Sequence, residues 1–190
     1  MTDPLTRWRT EHANFSALLD LLEQELIAFH DGGEPDYGLM LDILAYLRQF
    51  PDLFHHPRED VAVGFLLARE PSLRLPINRL LQEHRVIAVA GDELERLLNH
   101  VIDGSVLSRA AVESAAATYL TYYRHHLSTE DREILPRAAR LLTAQEWRRV
   151  GEAAPSAADP LFGETPQPDD GHRRLRERLH ERLRGMVPVH

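Results

Sequence analysis

The chain contains no cysteine and no lysine. Without cysteine there are no disulfides, no thiolate metal ligands and no cysteine nucleophile. That is compatible with a reducing compartment, and the cytoplasm is the expected location. The missing lysine makes every basic side chain other than histidine an arginine, which reads as a bias of base composition rather than a function. No apolar run approaches the ~18–20 residues of a membrane span, so no membrane partner is expected. The opening Met1-Thr2-Asp3-Pro4-Leu5 lacks the basic-then-apolar order of a secretory signal. Positive charge is scarce: 22 arginines face 30 acidic residues, for a net charge of -8. Non-specific attraction to nucleic acid is therefore not expected of the surface as a whole. No stretch alternates convincingly as a strand.

What remains is an ordinary soluble composition, 43% hydrophobic and 27% charged over 190 residues, with an unusual count of 11 histidines. That length is enough for one domain with a sizeable core. Leu5, Trp8, His12, Phe15, Leu19, Leu22 and Leu26 recur at three- and four-residue steps, predicting a helix from Asp3 or Pro4 to the stop at Asp31-Gly32-Gly33. A second helix is predicted from Asp36 to Ala68, with Met40, Leu44, Leu47, Pro51, His55, Glu59, Ala62 and Leu66 on its inner face. Pro51 and Pro57 should bend or locally break it. After a linker from Pro71 to Pro76, a third helix is predicted from Ile77 to Ile102. A fourth is predicted from Ser108 to Arg140, passing Pro136. Thr143-Ala144-Gln145-Glu146 has the capping-box pattern and opens a short helix through Val150. Gly151 to Pro168 reads as loop or linker. An amphipathic helix from Asp170 to Arg184 then lines up Leu175, Leu179 and Leu183. The expected fold is all-α, an antiparallel up-down-up-down four-helix bundle over residues 1–142 with a helical extension over 143–190. The arginines of the last helix could meet nucleic acid or an acidic partner. Its interleaved leucines favour docking on the bundle or on a second subunit as a homodimer.

The histidines carry the functional argument. His55 and Glu59 are four apart, and so are His126 and Glu130; on a helix each pair shares one face. One such pair is weak evidence, but the layout repeats. His12 and His55 are separated by 43 residues and His84 and His126 by 42. In two antiparallel hairpins all four histidines fall at one height, about 27 Å from the connecting turns at 1.5 Å per residue. Burying Glu59 and Glu130 in that layer costs several kcal/mol each unless cations neutralise them. The sequence offers no inner-face arginine for this except Arg48 near the edge. A dinuclear metal centre would supply the charge. Imidazole and carboxylate without thiolate suit iron or manganese, with zinc a further candidate. Two imidazoles per ion and two bridging carboxylates suggest a non-haem pair of ions, joined also by an oxide or hydroxide. His56 and His125 point about 100° away from their neighbours on an ideal helix, with His56 the stronger candidate to replace one. His30, His100, His172, His180 and His190 are expected to be solvated. Glu11 and Glu83 are expected to face outward or to hydrogen-bond the ligand histidines. Tyr119 and Tyr122, near His126, are core residues or partners of an open metal position.

The phrase Phe50-Pro51-Asp52-Leu53-Phe54-His55-His56-Pro57-Arg58-Glu59-Asp60 closely resembles the second-helix signature of the hemerythrin-like family, whose members carry the HHE cation-binding domain. Tyr123-Arg124-His125-His126-Leu127-Ser128-Thr129-Glu130 with Ile134-Leu135-Pro136 resembles its fourth-helix signature. The resemblance covers about residues 4 to 140. It implies His12 and His55 on one iron, His84 and His126 on the other, and Glu59 and Glu130 as bridges. Oxygen-carrying members have a second third-helix histidine where this chain has Ala88. They also commonly have an aspartate five residues after the fourth-helix histidine, where Asp131 stands here behind Glu130. The set is more similar to four-histidine members linked to iron handling or redox sensing. The expected function is a di-iron protein that binds or senses oxygen, nitric oxide, peroxide or iron level. The alternatives are a peroxide- or nitric-oxide-consuming enzyme on the same centre and a metal-free interaction module.

Overall fold

A computed structural model describes residues 3–106, 108–155, 159–163 and 170–185. The expectations for His190 and for residues 156–158 and 164–168 of the loop lie outside the described residues, as do those for the side chains of Arg182, Leu183 and Arg184. Among the described residues every regular element is helical. The elements are α1 (Pro4–His30), α2 (Tyr37–Phe50), α3 (His56–Arg69), α4 (Arg74–Ile102), α5 (Arg109–Thr129), α6 (Leu135–Leu141), α7 (Ala144–Glu152) and α8 (Asp170–Gly185). They pack as a helical bundle in which α1 lies against α2 and α5, and α4 lies against α2 and α5.

Local chemistry explains the ends. Asp3 caps α1 by accepting the backbone N–H of Thr6, beside Pro4 in the first turn. α1 and α4 stop in the same way. Gly32 (φ 76°) and Gly104 (φ 73°) take the left-handed conformation just past each helix. The N–H of Gly33 bonds the carbonyl of Ala28, and that of Ser105 bonds His100, which is the Schellman ending that glycine favours. α4 begins three residues before the expected Ile77, with Pro76 inside its first turn, where a missing N–H costs nothing. Thr143 and Glu146 form the expected capping box of α7.

The second and fourth predicted helices are each interrupted by a π-helical turn, Pro51–His55 between α2 and α3 and Glu130–Ile134 between α5 and α6. In both, a proline follows two residues after the turn's end, Pro57 and Pro136. A proline cannot donate to the carbonyl four residues back, and its ring crowds it. The helix answers by admitting an extra residue: His56 N–H reaches Pro51 O and Leu135 N–H reaches Glu130 O, five residues back. The side chain of the arginine after each proline donates to the carbonyl four residues before it. Arg58 Nε donates to Phe54 O, and Arg137 Nη1 donates to Glu133 O at 2.6 Å.

The core is split into two clusters. One contains Phe15, Leu19, Ile43, Leu47, Phe50, Leu94 and Tyr123; the other contains Trp8, Ala62, Leu66, Ile77, Leu80 and Ile134. Between them lies a polar layer, crossed once in each of four segments: between Trp8 and Phe15, Phe50 and Ala62, Leu80 and Ala90, and Leu127 and Ile134. α8 lies along α2, with Leu175 and Leu179 buried. Arg178 pairs with Asp36 at 2.6 Å. His172, expected to be solvated, sits edge-on to Tyr46. No helix among the described residues is long and apolar enough to cross a membrane.

Leu94 is completely buried and Val89, five residues earlier on α4, is 69% exposed. Leu94→Ala should cost about 2–5 kcal/mol in urea unfolding, whereas Val89→Ala should stay within about 0.5 kcal/mol.

Candidate metal centre

The polar layer between the two apolar clusters holds His12, His55, Glu59, His84, His126 and Glu130. Glu59 and Glu130 have no solvent exposure, and His12, His55 and His126 are buried. The π turn at Pro51–His55 makes this possible. An uninterrupted α-helix in phase with Leu47 would turn Phe54 and Arg58 inward, at 100° per residue. The extra residue moves that stripe by one, so His55 and Glu59 face the interior instead.

The imidazoles meet in pairs. His12 Nε2 lies 3.2 Å from His55 Nε2, and His84 Nε2 lies 3.1 Å from His126 Nε2. Glu130 spans the pairs. Its Oε2 is 3.0 Å from His12 Nε2, and its Oε1 is 3.1 Å from His126 Nε2. Glu59 Oε2 approaches His84 Nε2 at 3.4 Å. Two groups of potential donors result, His12 with His55 and Glu130, and His56 with Glu59, His84 and His126; within each, the donor atoms lie within 4.8 Å of one another. Neither oxygen of Glu59 nor Oε1 of Glu130 completes a hydrogen bond, although His84 and His126 stand 3.4 and 3.1 Å away. Buried carboxylate oxygens are normally satisfied, so this set lacks a positive partner in its middle.

In the absence of a cation, the layer balances its charge with protons. Burial, and then the charge of Glu130, pushes the Glu59 carboxyl well above the usual range. Burial pushes Glu130 the same way but is outweighed by His126 and His12, which hold it well below. His12 is raised to about 9, because Asp131 and Glu130 overcome its burial. His126 is raised to about 9, because Glu130 and Glu83 overcome its burial. His55 falls to about 4, chiefly through burial. His84 falls to about 3 through burial and the neighbouring His56 and His126.

A further ring of residues orients these groups. His12 Nδ1 pairs with Asp131 Oδ1 at 2.8 Å, and His55 Nδ1 pairs with Glu11 Oε2 at 2.8 Å. His126 Nδ1 faces Glu83 Oε2 at 3.5 Å. Glu11 is itself gripped by Arg58 Nη2, at 2.7 and 2.9 Å from its two oxygens. Its carboxyl is lowered to about 2, since His55 and Arg58 outweigh its burial. The Trp8 indole N–H points at His12 Nε2 at 2.9 Å and Glu130 Oε2 at 3.2 Å.

Several of these positions correct the sequence reading. Arg58 is a buried arginine beside the layer, where only Arg48 was expected, and it pairs with Glu11 rather than with Glu59 or Glu130. Glu11 takes the second of the two roles expected for it: it is buried and hydrogen-bonds His55. Tyr122 is 41% exposed; from Tyr119 the helix rotation carries it about 60° out of the inner stripe. Tyr123 takes the inner place, its hydroxyl donating to Leu47 O at 3.3 Å. Tyr119 is buried and, with Leu47, Ala88 and Gly91, lines a cavity whose wall includes His56, His84 and His126. A Cβ on Gly91 would stand 3.0 Å from the Tyr119 ring, so glycine there permits the ring's position. Trp8 and Arg58 were not identified from the sequence. The Trp8 signal was hidden, because a tryptophan four residues before a histidine on an apolar stripe looks like core. His125 is 63% exposed in its side chain and faces Glu83.

The raised values of His12 and His126 set a pH dependence. Both exceed the ordinary 6.5, so the stability these imidazolium ions contribute is full below about 6.5 and is lost as pH rises through about 9. Metal-free protein should lose melting temperature across that window. His12→Gln should flatten the slope, as read by calorimetry at a series of pH values.

No curated protein and no solved structure gives a significant match to this chain. The family model described as the hemerythrin HHE cation binding domain matches residues 3–138. That span starts at the cap of α1, ends in α6, and contains every residue of the polar layer. The chain therefore belongs to the hemerythrin HHE cation-binding family.

Proposed function

We propose that the polar layer holds two non-haem iron ions and that the protein binds or senses a small molecule through them. In this reading His12 and His55 serve one ion, His84 and His126 serve the other, and Glu59 and Glu130 are shared. The observation that carries it is the set of buried carboxylate oxygens that complete no hydrogen bond, surrounded by four imidazole nitrogens. Two dications would satisfy those oxygens and replace the protons that otherwise balance them. The donor set is borderline-to-hard, which suits iron, with manganese and zinc as the other candidates. The reading takes the scaffold as an antiparallel up-down-up-down four-helix bundle over residues 1–142, supported by the alternating order in which successive segments cross the two core clusters. Residues 143–190 are the extension, of which α7 and α8 pack on it. Leu175 and Leu179 are already buried against the bundle, so a homodimer is not needed to cover α8. The proposed location is the cytoplasm.

A pair of iron ions supplies reversible redox chemistry and affinity for oxygen, nitric oxide or peroxide. The chain's own residues do the rest. Glu11 and Asp131 fix the rings of His55 and His12 through Nδ1, and Glu83 faces His126 Nδ1 at 3.5 Å, leaving Nε2 for the ions. Trp8 steadies Glu130. The cavity beside His84 and His126 offers room for a small molecule between Leu47, Ala88 and Gly91. Burial drives the Tyr119 hydroxyl far above its ordinary pKa, keeping it a neutral phenol suited to donate a hydrogen bond there. Binding or sensing is favoured over turnover, because the nearby Glu11, Glu83 and Asp131 are already committed to histidines.

Metal analysis of protein expressed with iron should find two ions per chain, and Glu130→Gln should lose at least one. A folded wild-type protein with near-zero metal would overturn the reading. Because His12 and His126 hold protons up to about 9 in the metal-free state, affinity should rise with pH towards 9, with protons released on binding. Calorimetry in buffers of different ionisation enthalpy reads that release directly.

Azide or nitric oxide added to the iron-loaded protein should produce a new optical or paramagnetic signal. Tyr119→Phe should weaken that binding about fivefold, the effect of one hydrogen bond of about 1 kcal/mol. An unchanged spectrum with both probes would remove small-molecule binding while leaving cation binding intact. Peroxide or nitric oxide turnover well above that of free iron would instead favour the enzyme alternative.

A further inference from the structure

His56 is the histidine that an unbroken helix would have turned away from the layer. Three observations bring it back. A ring nitrogen of His56 lies within 4.8 Å of the donor atoms of Glu59, His84 and His126, completing a four-residue group. Its ring stacks on that of His84, with centroids 4.0 Å apart and planes at 24°. Its Nδ1 is held at 2.9 Å by Asp52 Oδ1.

The last contact decides the tautomer. A carboxylate accepts, so Nδ1 of a neutral His56 carries the proton and Nε2 keeps a free lone pair. The same arrangement orients His12 through Asp131 and His55 through Glu11. A carboxylate on the far nitrogen is the usual support of a metal-bound imidazole, fixing the ring and raising its basicity. Such a contact alone is not diagnostic. His30 Nδ1 has Glu113 at 3.0 Å on an exposed surface, and His125 has Glu83. Neither belongs to a group of potential metal donors among the described residues. His56 has both the support and the neighbours.

We infer that His56 is a metal ligand, adding a third imidazole to the end of the centre that holds His84 and His126, with Asp52 as its positioning residue. The inference rests on the proposed cation centre and extends it to a residue outside the six assigned there. It also gives the π turn a second role. The turn brings His55 into the His12 group, and His56, the first residue of α3, then begins the helix beside α4. Adjacent residues thereby serve opposite ends of one centre. Across the cavity, the position one turn after His84 on α4 is Ala88, which has no donor atom. His56 supplies from α3 a nitrogen that α4 does not offer.

The test uses the full chain loaded with iron, and with cobalt(II) as a spectroscopic probe. In His56→Ala the affinity for the second ion should fall by more than the about 10–100-fold that loss of an orienting partner causes. The number of imidazoles around the metals, read by X-ray absorption, should drop relative to wild type, and the cobalt d–d bands should change. Asp52→Asn should weaken the second ion less, leaving the imidazole count unchanged. Added imidazole should restore the second ion to His56→Ala, which separates a lost ligand from a disturbed fold. Circular dichroism of the metal-free variant checks that the helices persist. If His56→Ala binds two ions with unaltered affinity, cobalt spectrum and imidazole count, the inference is overturned while the centre stands. If wild-type protein binds no metal, the centre itself fails and His56 falls with it.

Discussion

Two carboxylates with no access to water, set among imidazoles in the middle of a helical bundle, are the constraint on which the rest of the structure turns. Glu59 and Glu130 separate the two apolar clusters. A layer of leucine in their place would make one continuous core with less electrostatic cost. The metal-free chain tolerates them only by dividing protons unevenly: Glu59 is driven towards its neutral form, and Glu130 stays ionised against His12 and His126. Such an arrangement is poised for cations. The hydrogen bonds of Glu11 to His55 and of Asp131 to His12, and the Trp8 N–H aimed at Glu130, pre-set the rings around the two carboxylates.

The backbone makes a matching concession. Both π turns adjoin the layer, and each precedes a proline that removes a backbone donor and an arginine whose side chain donates to the carbonyl four residues before it. A π turn sacrifices regular α-helical hydrogen bonding. Here it rephases a helix so that its inner stripe changes from apolar residues to His55 and Glu59 of the polar layer. Arg58 links the two devices, since the guanidinium that serves the Phe54 carbonyl also clamps Glu11, which in turn orients His55. The geometry of the layer is thus tied to the proline that distorts the helix beside it.

Much of this was readable from residue spacing. The near-equal intervals from His12 to His55 and from His84 to His126 placed four imidazoles at one height, and their nitrogens do meet in pairs at 3.2 and 3.1 Å. The glycine stops, the capping box at Thr143 and the apolar stripes were equally local, because caps and periodicity depend on residues within a turn or two. What escaped was whatever depends on phase or on a distant partner. An ideal 100° step made His56 an outsider and Tyr122 an insider. Stacking on His84 from α4 brings the half-buried His56 to the layer, and the centre of the α5 stripe, running through Tyr119, Tyr123 and His126, excludes Tyr122.

The sequence by itself determined the helices, their breaks and the family: local hydrogen bonding and the apolar period are encoded within each segment, and the histidine–glutamate spacing is chemical enough to be specific. Only the tertiary structure decided which histidines face each other, that Arg58 is buried against Glu11, and that Trp8 points at Glu130. The physical reason is that each of these contacts joins residues tens of positions apart. Their meeting depends on the rotation of whole helices about their axes, and a single extra residue in a π turn is enough to change that rotation.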